Sequence, residues 1–122
     1  MIINKRQIGD SSLLAVEGVI KLGQSARFLA DALKRSLAEG AGHVLLDLSD
    51  VNYMDSTGIG ELVGYLVRLR AEERKLILIR PSERIVQLLT VAGVASLFPI
   101  HDSVAEALAA EDRTVRAAGP GA

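Results

Sequence analysis

The sequence predicts a single α/β domain built on a mostly parallel mixed sheet with an N-terminal hairpin. Short apolar runs typical of buried strands alternate with segments in which apolar residues recur every three or four positions, the period of a helix. Two strand-like runs stand at the start without a helix between them, which indicates an antiparallel pair. The 122 residues, 49% of them apolar, suffice for one core, and neither a repeat nor an interdomain linker is visible. We therefore expect about five strands and about four helices in one domain over residues 1–111.

The first segments predict a β-hairpin followed by a loop. Residues 2–8 and 13–16 are short apolar runs, and the glycine, aspartate and serines of residues 9–12 between them are turn formers. Residues 18–23 begin and end with glycine and are expected to form a loop after the second strand.

A helix and a buried strand follow this loop. The helix is expected to begin at a cap provided by Gln24 or Ser25 and to end at residues 40–42, because glycine accepts the left-handed conformation. The strand covers residues 44–48, a short apolar run between these glycines and the polar pair of residues 49–50. The apolar positions of the helix are Ala26, Leu29, Ala30, Leu33 and Leu37.

The next segments continue the alternation. A second helix starts at the turn of residues 55–57, and residues 76–79 form a continuous apolar strand. Ser82 caps a third helix. Residues 97–100 predict a short last strand at a sheet edge, because Pro99 has no N–H to donate to a neighbouring strand.

A final helix and a tail complete the chain. Ser103 and Glu106 have the spacing of a capping box, so they open the final helix. The helical pattern ends at residue 111. Residues 112–122 are therefore expected to be a disordered tail.

The composition argues against several classes of function. Without cysteine, the chain has no disulfide, thiolate metal site or thiolate nucleophile. The only two histidines, His43 and His101, lie far apart, so we expect neither a metal site nor a cofactor. The net charge of −1 arises from mixed signs without a basic stripe, which argues against direct nucleic-acid binding. Because no signal peptide and no apolar run of ~18 residues occur, we expect a soluble cytoplasmic protein without membrane insertion, present as a monomer or weak dimer.

The turn before the second helix holds more polar and small residues than a helix start requires. Asp55, Ser56 and Thr57 can each accept a hydrogen bond from a free N–H group, but one such residue suffices as a cap. Gly58 and Gly60 follow at once, and each costs a helix roughly 1 kcal/mol relative to alanine. Their missing side chains would let another backbone or a ligand approach closely.

Two enzymatic or signalling alternatives use residues in or near this turn. In a hydrolase, Ser56 would be the nucleophile and His43 or His101 its base, but the Gly-x-Ser-x-Gly elbow is absent. In a receiver domain, Asp47 would be the phosphoacceptor, but the chain lacks the acidic pair and has Arg80 near the expected lysine. We expect Asp47 instead to order the residues that follow it.

Two further groups of residues predict surface features. An apolar patch near the turn is predicted from Ile20, Leu22 and Phe28, although Phe28 is assigned to the core. A basic cluster interleaved with glutamates predicts a solvated helix end, formed by Arg68, Arg70, Arg74 and Lys75.

The segment from residue 47 to residue 60 resembles the signature of STAS domains. It is most similar to the bacterial anti-sigma factor antagonists, whose pattern is Asp-Ser-(Ser/Thr)-Gly-(Leu/Ile)-Gly, here Asp55-Ser56-Thr57-Gly58-Ile59-Gly60. The similarity in the order of segments extends from about residue 2 to residue 108, which is nearly the whole chain.

This resemblance implies a regulatory binding protein that is not an enzyme. In the family, an anti-sigma factor that is also a serine kinase phosphorylates the serine after the aspartate, and a serine phosphatase removes the phosphate. The unmodified antagonist binds the anti-sigma factor and thereby releases a sigma factor. By resemblance, Ser56 is the phosphorylation site, and the partner-binding residues are Asp55, Ser56, Thr57, Gly58, Ile59, Gly60 and Lys21.

One departure from the family pattern concerns the loop of residues 18–23. Antagonists often carry Gly-Glu-(Leu/Ile)-Asp there, whereas apolar residues and Lys21 replace the acidic positions in this chain. The sequence therefore leaves a second hypothesis open, in which the protein is a non-switching STAS scaffold subunit of a stress-signalling or lipid-transport complex.

Overall fold

A five-stranded mixed sheet with flanking helices makes up residues 1–117, the part of the chain that the computed structural model describes. The predicted α/β domain and its order of strands and helices are confirmed. The elements are β1 (Ile2–Ile8), β2 (Ser11–Ile20), α1 (Gln24–Glu39), β3 (Val44–Met54), α2 (Ser56–Arg70), β4 (Leu76–Ile79), α3 (Glu83–Val91), a 3₁₀ turn (Ala95–Leu97), β5 (Ile100–His101) and α4 (Val104–Ala117).

The strands lie side by side in the order β1-β2-β3-β4-β5. β1 is antiparallel to β2, and the other neighbouring pairs are parallel, as the sequence predicts. β3 pairs with β4 only over residues 44–47, but it pairs with β2 as far as Met54, which lies opposite Ile20. The carboxyl ends of β2 and β3 therefore extend together beyond the rest of the sheet.

The two faces of the sheet carry apolar clusters of different size. Because side chains alternate along a strand, Leu46 and Leu78 pack into the larger cluster, which also contains residues of α1, α2 and α3. Leu45 and Ile77 point to the other face and join a smaller cluster with Ala107 of α4. One helix thus covers part of the second face, while three helices cover the first.

β2 and β3 are longer than the sequence predicts. The predicted loop of residues 18–23 was placed too early, because β2 continues through Gly18 to Ile20. Likewise, β3 does not stop at the polar residues 49–50 but continues to Met54. Shifts in register after Ala15 and Gly18 let β2 stay paired with β3 while polar side chains remain exposed. The pairing with the neighbouring strand, rather than local composition, sets these ends.

The helix caps of α3 and α4 follow the local sequence, whereas that of α1 does not. Ser82 Oγ accepts a hydrogen bond from Ile85 N–H at 3.2 Å, and Ser103 Oγ accepts one from the Glu106 N–H at 3.1 Å, as predicted. The prediction for α1 is wrong, since its N-cap is Gly23, without a side-chain cap.

The C-terminal segments differ in their bounds from the prediction. The strand predicted at residues 97–100 is displaced, because Ala95–Leu97 forms a 3₁₀ turn and the strand is Ile100–His101. α4 continues to Ala117, so residues 112–117 of the predicted tail are helical. Residues 118–122 lie outside the described part of the chain, and the prediction of a disordered tail stays a prediction there.

Arg74 is buried, although the sequence assigns it to a solvated helix end. Its side chain is 5% exposed and donates hydrogen bonds to the carbonyl oxygens of Ser36, Leu37 and Gly42. It therefore provides a donor for Leu37 O near the C-terminal end of α1, and a second donor for Ser36 O, which also accepts from the Gly40 N–H. Within residues 1–117, no helix is both long and apolar enough to cross a membrane.

Candidate functional site

The turn between β3 and α2 lies at the carboxyl edge of the sheet. Asp55 immediately follows β3, and its N–H donates to Ile20 O at 3.0 Å, at the end of β2. Asp55 has an extended backbone (φ −92°, ψ −177°), which suits an N-cap residue. The turn therefore continues directly from β3 and is attached to the end of β2 by a backbone hydrogen bond, where these two strands extend furthest from the sheet.

The carboxylate of Asp55 joins two separate segments. Oδ1 accepts a hydrogen bond from Gly58 N–H at 3.0 Å and so caps α2. Oδ2 accepts one from Leu22 N–H at 2.9 Å, in the loop between β2 and α1. The N–H groups of Leu22 and then Gly58 hold the pKa of Asp55 below its ordinary value. At neutral pH Asp55 is thus a carboxylate that fixes the loop beside the start of α2.

Ser56 is the first residue of α2, and its side chain is exposed. Its Oγ makes no hydrogen bond to any residue that the structure describes, because Asp55 already provides the side-chain cap. Thr57, the next residue, is half-buried. Ser56 therefore presents a free hydroxyl at a helix N-terminus, where N–H groups and the helix dipole favour negative charge.

The two glycines of the turn have different structural roles. A Cβ at Gly58 would lie 2.7 Å from Ile20 Cγ2, so a side chain there would displace the end of β2. A Cβ at Gly60 would meet nothing within 4 Å. The close approach predicted for these glycines occurs within the fold at Gly58, while no contact inside the described structure requires Gly60.

The loop of residues 21–23 is held by its own hydrogen bonds beside this turn. Ser25 Oγ accepts from Lys21 N–H at 2.9 Å and donates to Lys21 O at 3.0 Å. The carbonyl of Lys21 also accepts from the Ala26 N–H, and Gly23 has a φ of 109°, which favours glycine. Lys21 is exposed, and Leu22 is 75% exposed.

The predicted apolar patch is only partly confirmed. Ile20 is fully buried beneath Gly58, whereas Leu22 is exposed as expected. The assignment of Phe28 to the core is wrong, because its side chain is 45% exposed. The buried face of α1 includes Ala26 and Leu29, and Phe28 lies on the adjacent face of the helix.

The structure brings all the predicted site residues to one edge of the sheet. Lys21, Ser56 and Gly60 are exposed there, and Gly58 is buried. The remaining members are half-buried, namely Asp55, Thr57 and Ile59. Sequence reasoning did not anticipate the hydrogen bond between Asp55 and Leu22, since the two residues are 33 positions apart. The sequence offered one hint that this loop has a role at the site, namely the apolar residue Leu22 between Lys21 and Gly23.

The histidines lie too far from Ser56 to serve as its base. His43 precedes β3 and Ser56 follows it, so a strand of 11 residues separates them, about 35 Å at 3.3 Å per residue. His101 lies opposite Ile79, level with Asp47 in the sheet, and its Nε2 is 3.0 Å from Glu111 Oε1. The geometry therefore contradicts the hydrolase hypothesis.

Asp47 is engaged in structural contacts within the sheet. Its carboxylate accepts hydrogen bonds from the Ser49 N–H and hydroxyl and forms an ion pair with Arg80 at 3.2 Å. Burial raises its pKa, but the hydrogen bonds from Ser49 and the charge of Arg80 bring it below the ordinary value. It orders the next residues, as predicted, although they continue the strand. No group of three or more potential metal-ligating residues occurs in the described structure.

Sequence comparison relates the chain to STAS domains and to proteins named anti-sigma-B factor antagonists. A family model described as the STAS domain matches residues 3–107. The chain is 35% identical over 74 residues to an anti-sigma-B factor antagonist of Staphylococcus epidermidis, an alignment covering 61% of this chain and 68% of the relative. It is 31% identical over the same length, with the same coverage, to the protein of that name from Staphylococcus aureus.

Comparison with solved structures gives the same fold. A putative anti-sigma factor antagonist of Thermotoga maritima superposes with a TM-score of 0.79 at 21% identity, covering 87% of this chain and 91% of that one. The antagonist SpoIIAA in its unphosphorylated form gives 0.72 at 17% identity, covering 88% and 93%. The phosphorylated form of SpoIIAA from Bacillus gives 0.68 at 16% identity, covering 93% and 99%.

Proposed function

The chain belongs to the STAS domain family, among the anti-sigma factor antagonists, and from this premise we propose that it is a phosphorylation-controlled partner switch. In its unmodified form it binds an anti-sigma factor that is also a serine kinase, and a sigma factor is released. Phosphorylation of Ser56 by that kinase ends the interaction, and a serine phosphatase restores it. The switch operates in the bacterial cytoplasm, where sigma factors act.

The observation that carries this proposal is the exposed hydroxyl of Ser56 on a fixed turn. Asp55 caps the helix and ties the turn to the neighbouring loop, so Ser56 is not needed for either task. A kinase can reach Ser56 Oγ without unfolding the turn. The kinase transfers the γ-phosphoryl group of ATP to this oxygen and releases ADP, while the hydroxyl proton passes to a base of the kinase. The phosphatase hydrolyses the ester with water and releases inorganic phosphate.

A phosphate at this position is compatible with the fold. It carries about −1.5 to −2 charges at neutral pH, and the N-terminus of α2 favours negative charge. The solved structures of SpoIIAA support this expectation, because a protein of this fold exists in both phosphorylated and unphosphorylated forms.

The same phosphate opposes binding of a partner at this edge. It adds negative charge next to the carboxylate of Asp55 and must lose its water if a protein surface closes over it. The switch then works through the surface itself and requires no rearrangement of the core.

The non-switching scaffold is the second candidate function. It is favoured by residues 18–23, at the end of β2 and in the loop that follows, where Lys21 and apolar residues replace the acidic residues common in switching antagonists. In that case the turn binds a partner permanently, and Ser56 undergoes no cycle of phosphorylation and dephosphorylation.

Phosphorylation mapping tests the proposed function. The protein is incubated with ATP and the serine kinase encoded beside its gene, and the product is measured by intact mass and peptide fragmentation. We expect one phosphate, located on Ser56 and absent from the Ser56→Ala variant. Ser96→Ala, which changes an exposed serine in the 3₁₀ turn, is the matched control and should be phosphorylated like the wild type.

Phosphorylation of the wild-type protein by a kinase that binds it separates the two candidates. If the kinase binds the wild-type protein but transfers no phosphate to Ser56, the protein is a scaffold. If the kinase neither binds nor phosphorylates the wild-type protein, the proposed antagonist function is wrong.

A further inference from the structure

We propose that the side chain of Leu22 inserts into an apolar pocket of the kinase partner, and that Lys21 beside it pairs with carboxylates at the border of that pocket. This inference rests on the proposed function, since it names the chemistry of the partner surface that meets the Ser56 edge.

Leu22 is exposed on a loop that is otherwise well fixed. Its side chain is 75% exposed, yet its N–H donates to Asp55, and both the N–H and the carbonyl group of the preceding residue, Lys21, are hydrogen-bonded to Ser25 Oγ. The loop therefore has its conformation before any partner binds. Because the backbone that carries this apolar side chain is already fixed, burying Leu22 orders little more than the side chain itself, which is the property of an effective interface anchor.

The anchor and the phosphorylation site belong to one structural unit. Asp55 Oδ2 accepts from Leu22 N–H at 2.9 Å, and Asp55 directly precedes Ser56. A partner surface that buries Leu22 would therefore lie next to the first turn of α2. A phosphate on Ser56 would then lie at the margin of the pocket that holds the leucine.

Exposed cations in and beside the loop predict a negatively charged partner surface. Lys21 is exposed, and its ammonium group forms no ion pair with any described residue. Arg27, in the first turns of α1, is also exposed. Carboxylates on the partner would complement this positive charge and speed association. A phosphate on Ser56 would lie close to the same carboxylates. The negative charge of the partner, which attracts the unmodified protein, would then repel the phosphorylated protein.

An anionic membrane is the other surface that an exposed leucine and cations can meet. A single leucine inserts far fewer methylene groups than a myristoyl chain, and one such chain gives only marginal, reversible membrane binding. Leu22 alone would therefore bind a membrane only weakly. The attachment of the loop to the Ser56 turn favours a protein partner instead.

Affinity measurements on the unphosphorylated protein test this inference. The dissociation constant for the purified kinase is measured by calorimetry for wild type, Leu22→Ala and Lys21→Glu. We expect each substitution to weaken binding at least tenfold, and the effect of Lys21→Glu to shrink at high salt. Val91→Ala removes an apolar side chain that is 88% exposed on α3, and Lys34→Glu reverses an exposed charge on α1. Both controls should bind within twofold of wild type, and all four variants should melt like wild type.

The outcomes separate this inference from the proposed function. Ser56→Asp is measured in the same series. If Ser56→Asp loses binding while Leu22→Ala and Lys21→Glu bind like wild type, the anchor is wrong and the antagonist function stands. If the wild-type protein does not bind the kinase, both the anchor inference and the proposed antagonist function are wrong. Sedimentation of the wild type with phosphatidylserine vesicles, lost in Leu22→Ala, would assign the loop to a membrane and overturn the inference.

Discussion

At the scale of single residues, Gly58 and Gly60 have different reasons to lack a side chain. Gly58 faces Ile20 so closely that a Cβ would overlap it, whereas the space around Gly60 is open. We expect Gly58→Ala to destabilise the fold by roughly 1–3 kcal/mol through overpacking. Gly60→Ala should instead stabilise it by about 0.4–1 kcal/mol, because alanine restricts the unfolded chain. Urea denaturation of both variants measures the two changes.

Gly64→Ala provides the control for this pair, because Gly64 also lies in α2 with nothing within 4 Å of its Cβ position. It should behave like Gly60→Ala. Equal destabilisation by Gly58→Ala and Gly60→Ala would contradict the assigned packing. If Gly60→Ala stabilises the protein but weakens binding of the kinase, the open surface at Gly60 is part of the interface.

The carboxylate of Asp55 predicts a pH dependence of stability. Its pKa in the folded protein is lowered by the N–H groups of Leu22 and Gly58, so the folded state binds a proton less readily than the unfolded chain. The resulting stabilisation is fully present above the ordinary value of 3.8 and is lost as the pH falls through the lower folded value. The Asp55→Asn variant should therefore lose less stability than the wild type when the pH falls below about 4.

Thermal unfolding from pH 3 to pH 7 measures this effect. Asp31→Asn, at an exposed position of α1, is the control and should retain the wild-type profile. Parallel profiles for Asp55→Asn and wild type would show that Asp55 does not couple the loop to α2.

At the scale of the elements, Arg74 fixes the end of α1. Its guanidinium group donates to three carbonyl oxygens while its side chain is almost fully buried. We expect Arg74→Ala to destabilise the protein by roughly 2–4 kcal/mol, because the half-buried carbonyl groups of Leu37 and Gly42 lose the guanidinium donor. Arg74→Lys should recover only part of this, since an ammonium group cannot reproduce the fork of the guanidinium.

Denaturant midpoints for these variants provide the measurement. Arg35→Ala, an exposed arginine on α1, is the control and should change stability by no more than about 0.5 kcal/mol. A midpoint for Arg74→Ala close to that of Arg35→Ala would contradict the assigned role.

The elements also show which structural features local sequence determines. The caps at Ser82 and Ser103 were predictable because the cap oxygen and the N–H group that donates to it lie three residues apart. The ends of β2 and β3 were not, because they depend on pairing between distant segments that contain polar residues and glycine. Arg74 was misassigned for a similar reason, as its acceptors are more than 30 positions away.

At the scale of the whole molecule, the fold places the site where two parallel strands extend beyond the sheet. The motif from Asp55 to Gly60 predicts a site at this position from the sequence, because a helix start with surplus polar residues and glycines is a local pattern. The motif could not reveal that Asp55 also holds the loop of Leu22, or that Ile20 is the residue that Gly58 accommodates. These contacts exist only after β2 and β3 have paired, so the shape of the binding edge is a property of the tertiary structure.

The central claim is that phosphorylation of Ser56 decides whether this edge binds its partner. The most direct test compares the affinity of one purified kinase for the unmodified protein and for the same protein fully phosphorylated on Ser56, with Ser56→Ala as the unphosphorylatable control. We predict that the phosphate weakens binding by at least 100-fold, about 2.7 kcal/mol, and that Ser56→Ala binds like the unmodified protein. Equal affinities of the two forms would contradict the switch and leave a docking protein without phosphate control.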